Sequence, residues 1–110
     1  MTRIEQHGSV FVVRTEGPLR SETISRLSEL VAGKLTGRQP AIVLDLEKTP
    51  LFDGRAVEWM LALSEECSRR GGILSLCGVG PLCSDALRIT GVGESIETHP
   101  DVVTALGCLS

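Results

Sequence analysis

Asp53 stands where a short loop, Glu47–Phe52, gives way to an apolar helix pattern, and Asp45 lies near the end of the strand pattern before it. A carboxylate at a helix start can cap the helix by accepting from its free amides. An aspartate after a buried strand can also take up phosphate, but that chemistry needs a divalent cation held by clustered oxygen ligands. The first two strand patterns end in Gln6-His7-Gly8 and Thr15-Glu16, so no acidic pair assembles and acyl-phosphate chemistry is not expected. Cys67, Cys77, Cys83 and Cys108 are spaced by ten, six and twenty-five residues, without a CxxC. That spacing argues against a zinc ribbon or a redox pair. Reduced, mostly buried thiols are expected, with a single disulfide or a reactive thiol as the alternatives. His7 and His99 are far apart and read as surface or capping residues, and no cysteine has a histidine at a familiar spacing. No nucleophile elbow, phosphate-binding loop or dinucleotide fingerprint is present. Gly78-Val79-Gly80 reads as a tight turn, although an anion could rest on the backbone amides at the following helix start. The chain thus offers no catalytic, cofactor-binding or metal-ligating set, and an enzyme is not expected.

The elements that must position Asp53 follow from hydrophobic periodicity. Arg3–Gln6 and Val10–Arg14 are strand patterns joined by His7-Gly8-Ser9, and the near-continuous Val10–Val13 run predicts burial on both faces. Ser21 can cap a helix reaching about Leu35, with Ile24, Leu27, Val31 and Leu35 in one stripe. Thr36-Gly37-Arg38-Gln39-Pro40 supplies the glycine and proline expected past a helix end. Ala41–Leu46 is a second buried strand, and Pro50 forbids simple helix continuation in the next loop. From Asp53 a helix is expected to about Arg70, its interior side including Val57, Met60, Leu61, Ser64 and Cys67. Gly71-Gly72 ends it. Ile73–Cys77 is another strand. Gly80-Pro81 opens a short helix closed by Gly91. Glu94–Thr98 reads as a final strand and Pro100–Leu106 as a last helix. The order ββαβαβαβα predicts an α/β fold, a small mixed sheet of four to five strands flanked by helices. The first pair can be antiparallel because its connection is short.

Size and charge bound the function. One domain over all 110 residues is expected, with no linker or repeat. Net charge is −3 and aromatic residues make up 3%, so neither a cationic track nor stacking side chains are available for nucleic acid. No apolar run approaches the roughly 18 residues needed to cross a bilayer. Met1-Thr2-Arg3-Ile4 leads into a strand pattern without a signal-peptide core, so a cytoplasmic location without membrane insertion is expected.

The order of elements and the segment Ile42–Leu61 resemble the STAS domain, named after sulfate transporters and anti-sigma factor antagonists. That family's pattern is a buried strand ending in Asp-Leu, a loop, then Asp-Ser-Ser-Gly and an apolar helix. Here the strand reads Ile42-Val43-Leu44-Asp45-Leu46. Asp53 falls on the family's aspartate, Gly54 on its phosphorylated serine or threonine, Arg55 on the next small residue and Ala56 on the glycine. The resemblance implies a binding protein that docks an anti-sigma factor, often a serine kinase, and releases it on phosphorylation. Gly54 has no hydroxyl, and Arg55 puts a long cation where a small residue is usual. The resemblance thus implies docking without the usual switch. A kinase could use Ser21 or Thr49 as a substitute site, though Ser21 also fits a plain helix cap. The expected partner surface combines Leu19, Arg20 and Ser21 with Phe52, Asp53, Gly54, Arg55 and Glu58. Trp59, the single tryptophan, is either a core-edge residue or a partner anchor. Phe52 is expected to pack back on Ala56 or Val57 as a staple. A second role implied by the resemblance is a constitutive scaffold of a transport or secretion assembly that binds an ATPase.

Overall fold

The computed structural model describes residues 2–109 apart from 36 and 38. Strand β1 (Thr2–His7) and strand β2 (Val10–Glu16) form an antiparallel hairpin that pairs Ile4 with Val13. Helix α1 (Ser21–Ala32) leads to strand β3 (Ala41–Lys48), parallel to β2. Helix α2 (Gly54–Arg69) leads to strand β4 (Ile73–Cys77), parallel to β3. Helix α3 (Pro81–Thr90) and the short helix α4 (Val92–Ser95) precede strand β5 (Glu97–His99), parallel to β4, and helix α5 (Val102–Leu109) follows. Among the described residues these give a five-stranded mixed sheet in the order β1-β2-β3-β4-β5.

Alternation along the strands divides the core in two. Val13, Ile42, Leu44, Leu46, Leu74 and Leu76 pack against Ile24, Leu27 and Val31 of α1 and Ala56, Met60 and Leu63 of α2. Val10, Val12, Val43 and Cys77 point the other way and meet Ala105 of α5. Both faces of β2 are therefore apolar, as the Val10–Val13 run predicts.

Several boundaries differ from the sequence reading. Ser21 does not cap α1. Arg20 holds the extended cap position, and Ser21 is the first helical residue, its carbonyl accepting from the Ser25 hydroxyl. Regular α1 stops at Ala32, and Lys34 and Leu35 only close single turns onto Val31 and Ala32. Of the expected breaker, Thr36 and Arg38 lie outside the described residues. The buried stripe of α2 runs through Ala56, Val57, Met60, Leu63 and Cys67, while Leu61 and Ser64 are half-buried. Ala56 and Leu63 complete the helical spacing that Leu61 and Ser64 interrupt. The expected strand over Glu94–Thr98 is a helical turn followed by β5 alone. Gly91, at φ +77°, ends α3, and the chain turns again at once, the Glu94 amide donating to the Gly91 carbonyl at 3.2 Å. The last helix starts later than expected, because the Asp101 carboxylate accepts from the Thr104 amide at 2.8 Å and defines its first turn. Gly107 lies inside that helix. His99 is not a surface residue, since its side chain is 12% exposed.

The open part of the second face carries charge. Arg14 donates to Asp45 at 2.7 Å and to Glu5 at 3.1 Å, and Asp45 also accepts from the Glu47 amide at 3.1 Å. Asp45 is buried and fully engaged, which makes it a strand-end clamp. His7 and Arg14 hold the Glu5 carboxylate down, from 4.5 to about 2. A carboxylate with a lowered folded value contributes stability above its ordinary value and loses it as pH falls. The Glu5 contribution is therefore full above pH 4.5 and fades toward about 2. An NMR titration should place the Glu5 midpoint well below the ordinary glutamate value of 4.5, and His7→Ala should raise it.

Backbone packing is tightest at the β4 entrance. A Cβ on Gly72 would fall 2.0 Å from the Pro40 carbonyl oxygen. Ile73 donates to that same oxygen at 2.9 Å, so the carbonyl is fixed. Gly72→Ala is expected to cost about 3 kcal/mol or more by urea denaturation, at the upper end of overpacking effects.

Candidate functional site

Two loops meet beside the start of α2. The Gly17 amide donates to the Lys48 carbonyl at 2.9 Å, Leu19 to Leu51 at 3.0 Å, and Asp53 to Leu19 at 3.1 Å. Leu19 and Phe52 form an isolated parallel bridge between the loops. Leu19 is fully buried and Phe52 is buried with it in the main core, alongside Ala56 and Val57. The expectation that Leu19 and Phe52 present themselves to a partner is therefore corrected. Their apolar side chains face inward and fix the loops, and only their neighbours reach solvent.

Asp53 caps α2. Its Oδ1 accepts from the Ala56 amide at 3.0 Å, and its carbonyl accepts from Val57 at 3.2 Å. The sequence reading placed this cap correctly. The carboxylate is half-buried and oriented by that bond. Gly54, Arg55 and Glu58 follow on the exposed side of the helix start, and Arg20 and Ser21 are exposed across the clasp. Gly54 is helical, and a Cβ added there would meet nothing within 4 Å. Thr49 is 2% exposed. Its hydroxyl pairs with that of Thr15 beneath the loop, and its carbonyl accepts from the Cys83 thiol at 3.6 Å. A kinase therefore cannot reach Thr49 in the folded chain, whereas Ser21 is open to solvent.

Trp59 is half-buried and packs on the core edge. It also lines a groove of about 470 Å³ between α1 and α2, with Arg55 and Glu58 on one side and Ser25, Ser28 and Glu29 on the other. The α1 side of this groove was missed from sequence. The signal was available in the polar positions of α1 lying on the face opposite Leu27.

Among the described residues no group of three His, Cys, Asp or Glu side chains could hold a metal ion. All four cysteines are free, with Cys67, Cys77 and Cys83 buried and Cys108 exposed. Burial raises all three buried thiols, Cys77 to about 12, so they remain protonated near neutral pH. Among the described residues no helix is long and apolar enough to cross a membrane.

The model of one family, the STAS domain, matches residues 1–105. The chain belongs to the STAS domain family. Its fold is similar to that of an anti-sigma-factor antagonist STAS domain protein from Planctomyces limnophilus, at 21% identity and TM-score 0.87, over 97% of this chain and 96% of that one. It is equally similar to an anti-sigma factor antagonist from Mycobacterium paratuberculosis, at 22% identity and TM-score 0.87, over 98% and 92% of the two chains. A murine solute carrier anion transporter contains the same fold, at 15% identity and TM-score 0.78, over 93% of this chain and 18% of the transporter. No curated protein matches by sequence.

The cap and the clasp of this STAS domain differ in energetic weight. Asp53→Ala removes one side-chain cap and should cost about 1 kcal/mol. Leu19→Ala empties a fully buried site and should cost about 2–5 kcal/mol. Urea denaturation of both variants checks the order, and a larger loss for Asp53→Ala would contradict it.

Proposed function

We propose that this STAS domain is a non-catalytic regulatory module that docks a protein partner in the manner of an anti-sigma factor antagonist. The observation that carries the reading is the exposed start of α2, held rigid by the Asp53 cap and by the Leu19–Phe52 clasp beneath it. Interfaces gain when contact residues are ordered before binding, because less conformational freedom is lost. Arg20, Ser21, Gly54, Arg55 and Glu58 would supply the contact surface, Asp53 would hold the loop, and Trp59 would add apolar area from the adjoining groove. Arg55, exposed and without an ion pair among the described residues, would make the charge contact. The partner is an anti-sigma factor or serine kinase, the setting is cytoplasmic, and the outcome is control of transcription.

The switch is the distinctive element of the proposal. Phosphate on a hydroxyl at the helix start would add a charge of about −1.5 to −2 where the partner docks. A helix N-terminus tolerates such charge within the protein, so the lost energy would fall on the partner contact. Gly54 cannot carry it, and binding would persist unless Ser21 has taken over the role. The missing hydroxyl at residue 54 fits a second reading equally well, a constitutive subunit of a transport or secretion assembly that binds an ATPase.

Affinity purification of the tagged protein from its host, with mass spectrometry of partners and bait, separates the two. An anti-sigma factor or serine kinase supports the antagonist reading, and an ATPase with unmodified bait supports the scaffold. Arg55→Glu should abolish partner capture with the thermal midpoint nearly unchanged. Gly54→Ser should fold as the parent does, because its Cβ meets nothing within 4 Å. If it also becomes a substrate of the captured kinase and then loses the partner, the docking position is correct. Partner capture that survives Arg55→Glu would count against it.

A further inference from the structure

A hollow lies away from the start of α2, at the carboxyl ends of β4 and β5. It measures about 530 Å³, within the range of small-ligand pockets. Buried Leu87 and half-buried Val79 give the hollow an apolar floor. Ser84, Arg88, Glu94 and Thr98 also line it.

The charge pattern selects the ligand class. Arg88 is the one lysine or arginine among the lining residues, and it is paired with Asp85 at 3.0 Å. His99 lies 3.6 Å from Glu97, and its Nε2 has no hydrogen-bond partner and is closed to solvent. A phosphate-bearing ligand would therefore meet no surplus positive charge and would face Glu94, which has no ion pair among the described residues. A zwitterion meets both demands. Its carboxylate takes Arg88, whose exposed bond to Asp85 is weak enough to exchange. Its ammonium takes Glu94. A short apolar side chain covers Leu87 and Val79. We propose that this hollow is a binding site for a free amino acid with an apolar side chain.

The test is an NMR titration of the isotopically labelled full chain with L-leucine, L-valine and L-methionine. The controls are 4-methylpentanoate, which lacks the ammonium, 3-methylbutylamine, which lacks the carboxylate, and inorganic phosphate. Saturable shifts confined to the amides of Gly78, Val79, Gly91, Gly93 and Thr98 are expected for at least one amino acid. Each single-charge control should bind about tenfold more weakly or worse. Arg88→Gln and Glu94→Gln should each weaken the amino acid by about tenfold, with an unchanged thermal midpoint. Failure of all three amino acids to saturate, equal binding of the single-charge controls, or saturation by phosphate at the same amides would overturn the proposal. The hollow shares no residue with the surface proposed for the partner, so the two readings stand or fall separately.

Discussion

The arrangement around the start of α2 depends on one residue's backbone. Leu19 donates to Leu51 and accepts from Asp53, so the loop before α1 is stitched to the loop before α2 in the way a strand is stitched to its neighbour. The fully buried Leu19 side chain makes that stitch hard to open. An unpaired backbone group at this depth would cost free energy comparable to a lost hydrogen bond. Two loops that leave adjacent parallel strands would otherwise wander over the surface, as connecting segments tend to do. Here their mutual pairing turns them into a short extension of the sheet. Exposed residues on either side inherit that order, which is how a surface that includes long charged side chains such as Arg20 and Arg55 keeps a defined backbone shape.

The sheet order carries a related constraint. Strands follow one another across the sheet in chain order, so each helix crosses between immediate neighbours. The two crossings that flank β3 put α1 and α2 side by side on the same face. Their contact creates the groove that Trp59 lines, and the apolar stripe of each is satisfied by the strands beneath. The charged network of Arg14, Glu5 and Asp45 has the complementary role. It closes the end of β2 and β3 on the face that α5 leaves open, where an apolar surface would be exposed.

Much of this was legible in the sequence, for reasons that differ by element. The strands β2, β3 and β4 announce themselves through unbroken apolar runs, and Asp53 through its position between a loop with a proline and a helical stripe. Leu19 and Phe52 both stand in the partner surface expected from sequence, yet the same sequence also marks Phe52 as a staple on Ala56 or Val57, and it packs with both. For Leu19, one-dimensional position gives only the loop, and pairing in space reveals that it turns inward. Ser21 illustrates a different limit. A serine at a helix start is a cap on composition alone, yet the cap is a matter of backbone angle, and Arg20 holds the extended conformation instead. The end of the chain was least legible. Gly91 and Asp101 each reset the helix register within a few residues, and periodicity needs longer windows than that. Thr49 was open as a modification site until its burial was known, since a hydroxyl in a loop carries no sequence mark of where it points.

The unequal division of the core has a consequence for motion. The face under α1 and α2 is broad, whereas the one under α5 rests on few apolar side chains contributed by three strands and one short helix. Native proteins open in separate cooperative units whose stability follows the apolar contacts each unit holds. Lifting the C-terminal helix would expose Cys77 and the central strands from behind while breaking few apolar contacts. The opposite face keeps its own packing during that excursion, and the two halves of the molecule can breathe on different clocks.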